Sequence, residues 1–592
     1  MRTLRHVLAA AAVLLATQAS AAPAPGAELD RLARRYLEGL FRARPHLATY
    51  MGVHAHDGEL PDLSPEAVRG RVAELVQERR ALEGIDRRRL TPDQRTDAEI
   101  LADGIGLELL ELTKIREWTW NPRLVDDFTY YDPREVVAAR LSDLIHGDFA
   151  PEAARRRSVT AELRALPRYL AQREAAFEAV SRVHLEQAVK DNRGRIEFFE
   201  REVKEFTSRD PAAERARQAA VEALRAHQRF LETELPARAQ RDWRLGPALY
   251  REKFPLALQT RLRPDEDVVP RARQAFQEAR RELYATALEL SRELWPDEAA
   301  PPAALDPAGQ AKEIARVKER LSREHPAAAG LVDAHARQIE GLRAFIEARR
   351  LLALPPADTL EVAPEPEFKR GGAGAEYLSP GMLDRAVRWR GTYYVEPVDP
   401  SWPAEKRESY LRAENRYEVA LTAAHEAYPG HHTQAWYARR ELDPLRATLW
   451  SGTFAEGWAV YGTTLLVREG FGGAENARYR FFDLQGAMIV AANALLDVEL
   501  QGGSMTDDEA LQFMIQEGFQ EPAQAEKKLL RAKLDSTQLS QYFLGSTELA
   551  ELERAVRARG PFSQRAFDEA VVGHGTIAVK HLRRYLAPDR EK

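Results

Sequence analysis

The residues best suited to chemistry are concentrated in one short stretch, Ala424-His425-Glu426-Ala427-Tyr428-Pro429-Gly430-His431-His432-Thr433-Gln434. Three of the chain's fourteen histidines fall there, beside an acid. Imidazole and carboxylate are the zinc ligands left to a chain without cysteine, and this chain has none. His425-Glu426 matches the first half of the H-E-x-x-H zinc helix, whose two histidines stand four residues apart and differ by about 40° around the axis. Here the second histidine comes after six. In a regular helix His431 would lie about 9 Å further along and roughly 120° round the axis, too far to share an ion bound at about 2 Å. Pro429 and Gly430 supply a remedy. The Pro429 ring would clash with the carbonyl of His425 four residues back, and Gly430 permits backbone angles closed to other residues. The spacing therefore predicts a helix broken at Pro429-Gly430, which swings His431 towards His425, with His432 as the fallback ligand.

A zinc site of this kind needs a third protein ligand and an open position. Glu441 is the first acid downstream. Glu456 is the better candidate, because Thr453-Phe454-Ala455-Glu456-Gly457-Trp458-Ala459 is aromatic and apolar, where an unpaired carboxylate is costly. Thr453-x-x-Glu456 is equally a capping-box pattern, in which the glutamate only satisfies a helix start. Spacing alone leaves the two readings level. Glu426, next to His425, is placed to take a proton from a zinc-activated water and pass it to a leaving amine.

His425 to Gln434 resembles the signature of the bacterial family called domain of unknown function 885 (DUF885). Trp389-Arg390-Gly391-Thr392-Tyr393-Tyr394 resembles the segment that precedes it, and Glu456-Gly457-Trp458-Ala459 the acidic segment that follows. Arg531, Gln538, Tyr542 and Gly545 are similar to a C-terminal Arg-Gly-Gln-Tyr-Gly block. The resemblance implies a mainly helical, gluzincin-like zinc metallopeptidase with one zinc per chain. It implies His425, His431 and Glu456 as ligands and Glu426 as general base. Tyr542 and Arg531 would then steady the reacting oxygen or a substrate carboxylate, with Gln538 and His574 nearby, and Asp497 would orient a ligand imidazole. The chain departs from the family pattern in three places. Asn493 to Gln501 keeps only Asp497 of an Arg-…-Asp-…-His stretch, Ser536-Thr537 replaces Pro-Gly, and Phe567-Asp568 replaces Phe-His. Two rival readings use the same residues: a non-catalytic periplasmic binding protein on a decayed peptidase scaffold, and a metal-dependent amidase or esterase.

These groups must be held by a substantial body. The chain has 592 residues, 44% hydrophobic and 30% charged, which is a core-forming composition. Its net charge of −6, with both signs interspersed, offers no basic face for nucleic acid. Without cysteine there are no disulfides, thiolate metal sites, cysteine nucleophile or lipid-anchor cysteine. Arg2 and Arg5, the apolar run Val7 to Ala16, and Ala19-Ser20-Ala21 form the three parts of a signal peptide over residues 1–21. The sequence thus predicts an exported protein, periplasmic or secreted, with no membrane span in the mature chain and a peptide or small amide as substrate. Residues 22–353 carry apolar residues at helical spacing, as in Leu163, Leu166, Tyr169, Leu170 and in Val221, Leu224, Phe230, Leu231. Prolines such as Pro211, Pro255, Pro264 and Pro301 mark helix ends. Residues 354–380, rich in Pro, Gly and Ala, read as a connection to a zincin-like catalytic region over 381–592. Gly391 to Val395 is the clearest strand. The expected fold is mainly α, with at most a small β element.

Overall fold

The computed structural model describes residues 24–588, except 127, 129–133, 299–304, 366–373, 386 and 441–442. The expected signal peptide, Glu441 and Pro301 lie outside the described residues.

The body is built from helices whose starts are written in the sequence. Ser64 accepts from the backbone of Ala67 at 3.3 Å ahead of Pro65–Glu83. Thr91 and Gln94 form a reciprocal capping box ahead of Pro92–Leu110. Each places proline in the first turn, where its missing N–H costs nothing. Asp210 caps Pro211–Thr233 in the same way. Pro255 lies inside the last turn of Pro247–Ala257, two residues before that helix stops.

The apolar stripes read from sequence are buried where helices meet. Leu163, Leu166, Tyr169 and Leu170 of Glu152–Ala176 pack with Val221 and Leu224 of Pro211–Thr233 in a satellite core. The main core runs from Leu29 to Ala587 and draws on both halves of the chain. Its spine is Val269–Leu294 laid along Asn476–Gly502. The stretch Gly473–Gly502 is long and apolar enough to cross a membrane, but 67% of its most apolar window is buried inside the protein.

Five strands are present among the described residues. β1 (Val125–Asp126) and β2 (Arg134–Glu135) form a minimal ribbon. β3 (Leu360–Pro364), β4 (Ala375–Leu378) and β5 (Gly391–Val395) form a sheet in the order β3-β5-β4. β3 runs parallel to β5 and β4 antiparallel, with Tyr377 opposite Tyr393. The stretch 354–380, expected as a connection, supplies two of these three strands. The strand expected at Gly391 to Val395 is the central one, buried on alternate residues.

Candidate metal centre

The first histidine is carried by Arg416–Glu426, a helix started by Asn415, whose side chain accepts from the backbone of Tyr417 and Glu418. Val419, Ala420, Ala423 and Ala424 bury one side of it. It ends at Glu426. Ala427 leaves helical angles at φ −115°, ψ −84°, the Tyr428–Pro429 peptide is cis, and the Gly430 N–H turns back to the carbonyl of Ala424 at 3.0 Å. A second helix then starts at His431 and runs to Arg440. A β-carbon at Gly430 would stand 1.7 Å from the carbonyl oxygen of His425, so only glycine allows the chain to fold back this tightly. The break undoes the six-residue spacing: the two imidazole centroids are 4.8 Å apart, at 88°.

The acid comes from Gly452–Arg468. Ser451 is its cap, accepting from the backbone of Phe454 at 3.2 Å. The capping-box reading of Thr453 and Glu456 therefore does not describe this helix start. Glu456, only 1% exposed, instead faces the histidines. One of its oxygens is 3.3 Å from His425 Nε2 and the other 3.7 Å from His431 Nε2. The helix is tied to the break as well, because the Trp458 indole N–H donates to the Pro429 carbonyl at 2.8 Å and Gly462 leaves room for the Pro429 ring.

One ligand atom from each of His425, His431 and Glu456 lies within 4.8 Å of the others. Bonds of 2.0–2.2 Å in a tetrahedral zinc site place ligand atoms about 3.4 Å apart. The two histidine–glutamate distances, each to a different carboxylate oxygen, lie near that value, and two imidazoles with a carboxylate are a donor set that zinc accepts. Electrostatics differ from group to group. Burial alone would lower the His425 pKa, but the carboxylates of Glu456 and Glu426 hold it above the usual imidazole value. Burial takes His431 down to about 4. Glu426 is pushed up to about 8 by burial, with Glu456 adding to the effect and His425 opposing it. Its carboxylate accepts the backbone N–H of Tyr377 in β4.

His432, the fallback ligand, is committed elsewhere. Its Nδ1 is 3.1 Å from the Tyr377 hydroxyl and its Nε2 3.1 Å from Thr359 Oγ1. The ring stacks on Trp389 at 5.2 Å, and burial lowers its pKa to about 3. It is a neutral brace between the second helix and the sheet. His431→Phe should therefore abolish zinc retention, while His432→Phe should keep about one zinc per chain, measured by elemental analysis of dialysed protein. Equal loss from the two variants would overturn this division.

Asp497 does not orient an imidazole. Its carboxylate accepts the backbone N–H groups of Thr537 and Ser540 and the Ser540 hydroxyl, at 3.0, 3.1 and 2.6 Å, and so fixes the start of Ser540–Arg557. Arg531 and Gln538 each donate to the Tyr542 hydroxyl, at 3.5 and 3.3 Å, forming a cluster of their own. Tyr542 lies one turn before Gly545, which meets Thr453 and Gly457 with no room for a β-carbon. The Tyr542 helix is thereby packed against the Glu456 helix. His574 donates from Nδ1 to the Ala570 carbonyl at 2.7 Å and shares with His431 the wall of a cavity of about 150 Å³. Sequence reading missed Tyr377, which serves the site through both its backbone and its hydroxyl. It sits in a four-residue strand with no usable periodicity.

The family described as bacterial protein of unknown function (DUF885) matches residues 45–586. A protein of unknown function from Shewanella oneidensis, described as a candidate lipoprotein, has a similar solved structure, with a TM-score of 0.77 and 25% identity. The match covers 94% of this chain and 99% of that one. A candidate lipoprotein from Colwellia psychrerythraea superposes with a TM-score of 0.73 over 94% of this chain and 98% of its own, at 17% identity, and shares the fold. No curated protein matches.

Proposed function

We propose that this chain, which belongs to the DUF885 family, is an exported zinc-dependent hydrolase that cleaves short peptides. The observation that carries the proposal is the meeting of His425, His431 and Glu456 across a broken helix, with Glu426 alongside. Export is supported by the signal-peptide pattern and by the candidate lipoproteins that share the fold.

When bound, zinc supplies Lewis acidity towards a carbonyl and a water made acidic enough to react near neutral pH. The protein's own groups do the rest. His425 and His431 present neutral imidazole nitrogens once the cation competes for them. Glu456 contributes the balancing negative charge from an apolar helix. Glu426, buried next to His425, holds and moves the proton, taking it from the water and returning it to the leaving amine. The Tyr377 N–H holds that carboxyl in place. In this reading Arg531 and Tyr542 would meet a substrate carboxylate or oxygen.

The test is a panel of short peptides and their ester analogues, assayed with zinc-loaded and chelator-stripped protein. Peptide cleavage that disappears on stripping and returns with zinc is expected. Cleavage of esters alone would move the reading to an esterase, and inert protein with a full complement of zinc would move it to a binding protein.

A further inference from the structure

The cavity beside His431 is built for an apolar group. His431, Gln434, Ala435 and Ala438 stand at positions i, i+3, i+4 and i+7, so they share a face of the second helix, and all four line the cavity. Its other apolar walls are Met51, Met382, Ala447 and Trp450. The polar groups in the wall are already engaged. The Asp443 carboxylate accepts the backbone N–H groups of Leu445 and Arg446, at 2.9 and 3.0 Å. Arg446 is paired with Asp97 at 2.6 Å. The Gln434 amide donates to the Thr576 hydroxyl. The one arginine of the wall is thus ion-paired, and the Asp443 carboxylate serves as a helix cap.

Size narrows the choice. The cavity volume is about 150 Å³, and a cavity of about 150 Å³ lined by apolar side chains holds a benzene molecule. Two methionines in the wall add adaptability, because thioether chains repack around irregular apolar shapes and contact rings favourably. The small side chains of Ala435, Ala438 and Ala447 are what keep the space open.

We infer that this cavity is the specificity pocket of the hydrolase and receives an aromatic or large aliphatic side chain of the peptide, next to the metal. The inference rests on the proposed function for its location but can be read by binding alone. The bulky side chain lies against Ala435 and Ala438, and acidic side chains are rejected because Arg446 is already paired and they would lose water without gaining a partner.

The experiment measures binding of two neutral probes, N-acetyl-L-phenylalanine amide and N-acetyl-L-alanine amide, to zinc-loaded protein by calorimetry. Burial of the ring should make the phenylalanine probe bind about tenfold tighter or better. Ala438→Phe should remove most of that difference by filling the space. Ala447→Leu does the same from the opposite wall and serves if the first variant melts early. Equal affinity for the two probes, or a preference that survives both replacements, overturns the pocket. The two readings separate cleanly. Protein that prefers the phenylalanine probe yet cleaves no peptide would sink the hydrolase and leave the pocket. Protein that cleaves peptides without regard to side-chain size would do the reverse.

Discussion

Glu426→Gln should bind about one zinc per chain and lose turnover by roughly 10²- to 10⁴-fold, the range usual for removal of a general base. The replacement keeps shape and burial but can no longer accept a proton. It leaves the donor atoms of His425, His431 and Glu456 untouched. Removal of a ligand should act differently. His425→Ala and Glu456→Ala should lower zinc content itself. Elemental analysis and peptide assays on the same samples separate the two effects. A Glu426→Gln protein that retains turnover would end the general-base role. A Glu456→Ala protein with full zinc would place the third ligand elsewhere.

Gly430→Ala should be among the most damaging substitutions at the described glycines. The added β-carbon would meet the His425 carbonyl oxygen at 1.7 Å and the Ala424 carbonyl oxygen at 2.6 Å. Both are helix backbone and cannot swing aside as a flexible side chain would. The strand of chain from Ala427 to Gly430 must then move outward, and with it the Pro429 carbonyl that receives Trp458. A loss of about 2 kcal/mol or more is expected, the upper range for overpacking, with a lower melting temperature and much weaker zinc binding. Gly503→Ala is a useful contrast, since its φ is positive, unlike that of Gly430, and it lies in open space at the end of a helix. It should cost stability through backbone strain alone and leave zinc untouched. If Gly430→Ala binds zinc as tightly as the parent, the fold-back does not position His431.

The sequence disclosed the break itself, since a proline four residues after a ligand histidine and a glycine next to it conflict with a helix through His431. It did not disclose that Ser451, two residues before Thr453, is the real cap, so Glu456 stood level between two roles until the helix start was seen. His432 and Asp497 show the limit of reasoning from residue type. Each is polar, and His432 adjoins a candidate ligand in sequence. Each is nevertheless consumed by a contact with a distant segment, Thr359 and Tyr377 for the one and Ser540 for the other. Helical stripes in the first half were legible because their period is local. The short β4 was not, because four residues carry no period and its register is dictated by β5.

The long pairing of Val269–Leu294 with Asn476–Gly502 also governs how this molecule can be made. A ribosome finishes the first of these helices about 180 residues before it begins the second, a separation typical of contacts that form late. Through that interval the emerging chain carries a greasy flank whose cover has not yet been synthesised, and a secreted chain carries it through the export machinery as well. The second helix has the apolarity of a bilayer segment until it docks. Biogenesis is therefore all or nothing: a product truncated between the two helices is a client for holdase chaperones and proteases rather than a stable half-protein, and only the complete chain hides its own adhesive surface.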